Sequence, residues 1–309
     1  MTTTEARAAL TSGRPEQVPV RVLDAARCHL GEGPAYDAAS DTAWWFDILG
    51  RHLHEAKLDS GAVTVHALPV MASALAVVDD ARHVLVAENG LHLRDSRSGA
   101  MTHLAPIEDE DARTRSNDAR VHPSGTLWSS TMGRRAERGL GSIYAFRGGE
   151  ARLLFTGLTI PNAICFSPDG SVGYFADTSE GRLYRVGLDP ETALPLEEPR
   201  LLLRHEGPGG LDGAVTDAEG LIWCAIWGGG CVHAYSPAGR RVRRVAVPAR
   251  QPSCPVFVGP RFDRLLVTSA WQDMGEAARA ADPGHGQTFL LDVGTQGRAE
   301  PRMASGDLS

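Results

Sequence analysis

An outline that recurs six times along the chain narrows its fold more than any other feature. It is clearest in IPNAICFSPDG, residues 160–170. A polar amide, Asn162, opens a short apolar segment of strand composition, and Ser-Pro-Asp-Gly then supplies a tight turn. Anchoring each copy five places before its turn puts the anchors at 32, 74, 117, 162, 212 and 254, spaced by 42, 43, 45, 50 and 42 residues. A second apolar run follows every turn, at 42–47, 83–87, 126–131, 172–177, 221–226 and 264–269. A third follows in each copy, and most copies add a fourth. Four short strands every ~40–50 residues are the pattern of a propeller blade. The fold class expected is therefore all-β, a six-bladed β-propeller. It forms one domain over 18–300, with a flexible extension over 1–17 and a tail over 301–309. The sixth copy lacks a fourth strand, so the strand-like 18–30 or the tail around Pro301 is expected to complete it and close the ring, which removes exposed edges. One short helix is expected within 273–282. Neither a Gly-His…Trp-Asp nor a double-glycine pattern recurs at the required places, which argues against a protein-binding scaffold of WD or kelch type.

In a propeller the first strand of each blade lines the central channel, so residues at one offset from the turn share one depth. That ring reads Glu32, Ala74, Asn117, Asn162, Asp212 and Cys254. Four of the six carry side-chain oxygen, two as carboxylates. Singly, each is explained by hydrogen bonds to backbone near a turn. Four converging on one axis point instead to a cation, because charges in a narrow channel are costly unless paired or bound to metal. Carboxylates with amide oxygens form a hard donor set for one divalent ion. Ca2+, Mg2+ and Mn2+ suit it, and Zn2+ fits if water fills the shell. Three protein ligands leave positions open for water and substrate. Loops 106–116, 132–141, 205–211 and 270–286 are expected on the same face. Arg115 then overlooks the metal, and Arg134 and Arg135 border the mouth. Trp227 and Trp271 are the tryptophans expected nearest it, and His122, at a turn, is expected at the surface.

The remaining composition mainly excludes. Net charge is −7 from 31 basic and 38 acidic residues, which disfavours nucleic acid and anionic membranes as partners. Lys57 is the only lysine and follows Ala56, so there is no Walker-type phosphate loop. The five cysteines show no Cys-x-x-Cys spacing and read as reduced thiols of a cytoplasmic protein. No apolar run reaches the ~20 residues of a membrane helix, and residues 1–20 lack a signal-peptide core. Nucleophile-elbow, His-Glu-x-x-His and dinucleotide motifs are absent.

Several motifs, in order, carry a resemblance: Gly31-Glu32-Gly33-Pro34, Arg115-x-Asn117-Asp118, Thr131-Met132-Gly133, Pro161-Asn162 with Ser167-Pro168-Asp169-Gly170, and Asp212-Gly213. From about residue 28 to 293 the chain resembles the gluconolactonase/regucalcin (senescence-marker-protein) family. The resemblance implies a six-bladed propeller with one divalent metal at the channel mouth, hydrolysing a sugar lactone to the aldonic acid. It implies Glu32, Asn162 and Asp212 as metal ligands, Asp212 as general base as well, and Arg115 and Asn117 as contacts to the sugar hydroxyls. It also implies a monomer or small homo-oligomer whose partner is a small-molecule sugar lactone. One departure stands out. Regucalcin-like members carry an acidic residue shortly after Thr-Met, where this chain has Gly133-Arg134-Arg135. Arginines there support an alternative substrate, a lactone with an anionic tail such as a uronic, phospho- or sulfo-sugar lactone. A non-catalytic calcium-binding propeller and a propeller esterase or phosphotriesterase are the competing readings.

Overall fold

The computed structural model describes residues 14–307. Six four-stranded antiparallel sheets succeed one another along the chain and surround a common channel as a six-bladed β-propeller. Blade 1 holds β2 (Gly31–Asp37), β3 (Thr42–Asp47), β4 (His52–Lys57) and β5 (Ala62–Ala67). Blade 2 holds β6 (Ala72–Val77), β7 (Arg82–Ala87), β8 (Gly90–Asp95) and β9 (Met101–Ala105). Blade 3 holds β10 (Thr114–Val121), β11 (Leu127–Gly133), β12 (Gly141–Arg147) and β13 (Glu150–Leu158). Blade 4 holds β14 (Pro161–Phe166), β15 (Val172–Asp177), β16 (Arg182–Gly187) and β17 (Arg200–Arg204). Blade 5 holds β18 (Gly210–Thr216), β19 (Ile222–Trp227), β20 (Cys231–Tyr235) and β21 (Arg241–Ala246). Blade 6 takes β22 (Pro252–Val258), β23 (Arg264–Ser269) and β24 (Thr288–Leu291) from the end of the chain, and β1 (Val20–Asp24) from its start. The helix α1 (Glu276–Ala281) lies between β23 and β24.

Each blade has its inner three strands largely buried and its fourth more exposed. Every residue of β3, β6, β14 and β22 is buried, whereas β5 and β13 alternate exposed and intermediate positions. Sheets covered on both faces lose the alternation of polar and apolar residues. The core is accordingly divided among the blade junctions, with one apolar cluster at each. Phe46 and Leu85 meet between blades 1 and 2, for example, and Trp128 and Phe175 between blades 3 and 4. Trp45, Trp128 and Trp223 are fully buried in such junctions. All five cysteines are free and buried. Among the described residues no helix is long and apolar enough to cross a membrane.

Both chain ends differ from simple extensions. Of the two segments that compete to complete blade 6, β1 takes the place, with Val20 opposite Leu291 and Val22 opposite Phe289. Most of the expected flexible extension lies outside the described residues. Its described end is held, because Glu16 is buried, pairs with Val245 of β21 and forms an ion pair with Arg243 at 2.7 Å. The tail around Pro301 runs instead across the channel end formed by the turns between first and second strands.

Candidate metal centre and active site

Glu32 on β2, Arg115 and Asn117 on β10, Asn162 on β14 and Asp212 on β18 line one cavity of about 470 Å³. It lies at the channel end where the inner strands begin. The cleft at the other end, beside Ala74 and under Glu300 and Pro301, has about 30 Å³, room for about one water and none for a sugar. Four oxygen-bearing anchors thus meet in the larger cavity.

The inner strands reach this arrangement through a repeated irregularity. In every blade the pairing of first and second strands slips at the anchor: after Glu32, Ala72, Ser116, Asn162, Leu211 and Pro252. A β-bulge of this kind bends the strand and re-aims a side chain. Glu32 and Asn162 are the last paired residues before their bulges, whereas Asn117 and Asp212 lie inside theirs. Gly33 and Ala163, the residues following two anchors, have φ of 53° and 56°. The approach to both strands is fixed from below. Asp47 accepts from the N–H groups of His29 and Leu30 at 2.9 and 3.0 Å. Asp177 does the same for Thr159 and Ile160 at 2.9 and 3.3 Å.

A chain of hydrogen bonds crosses the cavity floor. Arg115 Nη1 donates to Ser116 O at 2.7 Å and to Asn117 Oδ1 at 3.1 Å. Asn117 Nδ2 donates to Pro161 O at 3.0 Å and to Asn162 Oδ1 at 2.8 Å. Asn162 Nδ2 donates to Thr178 Oγ1 at 3.0 Å, and that hydroxyl donates to Leu211 O at 2.6 Å. Both amides are oriented by this chain. Asn162 Oδ1 keeps a second lone pair for another partner.

The carboxylates are poorly compensated. Burial pushes Glu32 up to about 8, and the charge of Asp118 adds to the shift against smaller opposing contributions from Gly33 N–H, Arg115 and Arg120. Burial also raises Asp212 well above the carboxylate range, with Glu32 and Asp118 reinforcing it. Two desolvated acids facing each other favour a bound cation over an empty space. Among the described residues no three His, Cys, Asp or Glu side chains cluster to hold a metal. The amide oxygen Asn162 Oδ1 also lines this cavity and has a lone pair to spare. This set is all oxygen and fits a hard divalent cation.

Two expectations from the sequence need correction, those for His122 and Trp271. Arg134 and Arg135 border the cavity as expected, each already paired with a carboxylate. Arg134 Nη2 pairs with Glu88 Oε2 at 2.7 Å, and Arg135 pairs with Glu137 at 3.2 Å while remaining 89% exposed. His122 is buried, not at the surface, because its turn packs against blade 4, where Nε2 meets Gly170 O at 2.8 Å. Trp227 lines the cavity as expected. Trp271 is held just outside it, stacked on His29 and donating to Arg27 O at 3.1 Å. Thr178 and Glu88 escaped sequence reasoning. Thr178 had a faint signal, since it follows the strand-ending Asp177. Glu88 had none, because its partner lies 46 residues away.

Residues 30–271 match the model of the family described as SMP-30/Gluconolactonase/LRE-like region. A protein of Rhizobium meliloti, provisionally named a sugar lactone lactonase, is 52% identical over 282 residues, 91% of this chain and 96% of that protein. The L-arabinolactonase of Azospirillum brasilense is 34% identical over 281 residues, 89% of this chain and 92% of its own length. Among solved structures, a calcium-binding protein, regucalcin, from Agrobacterium tumefaciens is 50% identical and superposes with a TM-score of 0.91, covering 93% of this chain and 97% of that one. The matched segment contains all four oxygen-bearing anchors and all six inner strands, and on these grounds the chain belongs to the SMP-30/gluconolactonase/LRE-like family.

Proposed function

We propose that this protein hydrolyses a sugar lactone to the open-chain aldonic acid, with a divalent cation held by Glu32, Asn162 and Asp212. The observation that carries this reading is the meeting of one buried carboxylate, Asp212, one half-buried carboxylate, Glu32, and one oriented amide oxygen in an open cavity of about 470 Å³. Relatives named as lactonases supply the reaction class. Ca2+ matches the all-oxygen donors, as does the name of the Agrobacterium structure.

When bound, the cation supplies Lewis acidity toward the lactone carbonyl and lowers the pKa of water. Asp212 accepts a proton from the attacking water as its oxygen adds to the carbonyl carbon. The ester bond to the ring oxygen then breaks. Asp212 returns the proton to that oxygen, leaving a hydroxyl and the carboxylic acid. Arg115 faces the cavity with the part of its guanidinium not committed to Ser116 and Asn117, and there it orients the sugar ring. Asn117 acts chiefly by holding Asn162, since its Nδ2 is occupied by Pro161 O and Asn162 Oδ1.

The test is a panel of five- and six-membered aldonolactones, aryl esters and phosphotriesters with Ca2+, Mg2+, Mn2+ or Zn2+ added, followed by proton release. Lactone turnover that requires metal is expected, together with its loss in Asp212→Ala and Glu32→Gln at unchanged circular dichroism. Metal binding without turnover of any lactone would leave a calcium-binding propeller. Wild-type rates in either variant would overturn the ligand assignment.

A further inference from the structure

The rim of the cavity carries a charge arrangement that the proposed reaction does not use. Arg134 sits on the loop between β11 and β12 and lines the cavity. Its Nε donates to Ala112 O at 2.9 Å and its Nη2 to Glu88 Oε2 at 2.7 Å. Among the described residues its Nη1 has only Met71 Sδ, at 4.0 Å, a weak acceptor. Glu88 is itself fixed to blade 2: Oε1 accepts from Met71 N at 3.0 Å, and Glu88 N donates to Met71 O at 2.8 Å. The guanidinium is therefore held in one place, with a carboxylate in contact and one edge left free. Arg135 adds no fixed charge, because it points to solvent beside Glu137. Asp273 adds a further carboxylate to the cavity wall.

A guanidinium already paired at contact distance is a poor counter-ion for a second anion, yet it keeps N–H groups that donate to neutral oxygens. We propose that Glu88 is a specificity-determining residue: by neutralising Arg134 it makes the rim a hydrogen-bond donor for the hydroxyls of an uncharged sugar lactone and turns away lactones with an anionic tail. This rests on the lactonase reading above. It reverses what two arginines in the sequence suggest by themselves, since the partner of Arg134 comes from another blade.

The test compares a neutral aldonolactone with an aldarolactone, which carries one free carboxylate, by kcat/KM in wild type, Glu88→Gln, Arg134→Ala and the double variant. Glu88→Gln keeps the shape and the bond from Met71 N while removing the charge. Wild type is expected to favour the neutral lactone. In Glu88→Gln the ratio of anionic to neutral kcat/KM should rise about tenfold, as expected for one uncompensated charge beside a partly screened site. Adding Arg134→Ala should bring the ratio back. A wild type that prefers the anionic lactone, or equal changes on both substrates in Glu88→Gln, would overturn the proposal and leave Glu88 as a loop anchor. If no lactone is turned over, it is the lactonase reading that fails. The charge argument is then decided by calorimetric binding of aldonate against aldarate to the same four proteins, with the same shift expected and equal affinities refuting it.

Discussion

His83 packs edge-on against Trp44, with ring centres 4.9 Å apart, and is only 3% exposed. Among the described residues its Nδ1 has no hydrogen-bond partner. Burial, reinforced by the charge of Arg94, lowers its pKa from 6.5 to about 4. The folded value lies below the unfolded one, so the stability this neutral ring contributes is complete above pH 6.5 and is lost as pH falls through 4. The integrated effect is about 3 kcal/mol. His83→Gln should therefore flatten the fall of Tm between pH 6.5 and 4 in scanning calorimetry; an unchanged slope would show that the histidine is not a source of acid sensitivity. None of this is visible in the sequence, where His83 merely opens an apolar run. Asn117 teaches the same lesson at the site. Its offset from the turn correctly brought it to the cavity with Glu32, Asn162 and Asp212, because strand periodicity fixes depth. What its amide faces depends on blade 4, 45 residues later, so its part in holding Asn162 was not legible.

Strands were the most legible elements. The segments at 42–47, 172–177 and 264–269 coincide with β3, β15 and β23, since apolar runs closed by turn residues leave little freedom in the boundaries. The expected helix over 273–282 shortens to Glu276–Ala281, because Gly275 at its N-cap offers no side-chain hydrogen bond. The bulges were not legible, as polar and apolar patterning does not say which residue a ladder skips. Their importance can be tested at Gly33. A Cβ there would stand 1.8 Å from Ser73 O, in a backbone conformation with φ of +53°. Left-handed backbone costs about 1 kcal/mol for alanine, and a backbone oxygen cannot swing away. Gly33→Ala is expected to lose about 3 kcal/mol or more in urea unfolding and, on the proposed ligand set, to weaken binding of the divalent cation, since Glu32 is the preceding residue. Gly61→Ala is the control, having φ of +72° with nothing within 4 Å, and should cost only about 1 kcal/mol. Equal losses in the two would mean that the packing of β2 on blade 2 does not set the site.

At the scale of the molecule, two terminal segments tie the ring. One was legible as an alternative: blade 6 needed a fourth strand, and β1 supplies it by pairing with β24. The other candidate, the tail, does something for which strand patterns carry no signal. Its backbone and side chains reach all six blades across the turn end of the channel. Gln296 O accepts from Ala218 N at 3.0 Å, Gly297 N donates to Phe262 O at 2.7 Å, and Arg298 bonds Phe166 O and Pro168 O. Met303 N donates to Val77 O at 2.8 Å, Ala304 N to Gly125 O at 3.1 Å, and Arg302 pairs with Asp37 and Asp80. At the centre of this strap Glu300 pairs with Arg120, a buried side chain of β10 that also donates to Ala214 O at 3.0 Å. Removing one partner of a buried ion pair strands the other in a poor medium, at a cost of about 3–5 kcal/mol, whereas replacing both by apolar groups is often nearly neutral. Glu300→Gln should therefore lower the unfolding free energy in urea by about that amount, and Arg120→Met with Glu300→Leu should recover most of it. A Glu300→Gln protein as stable as wild type would mean that the strap is held by its backbone bonds alone. A double variant as weak as the single one would mean that Glu300 acts through something other than the charge of Arg120.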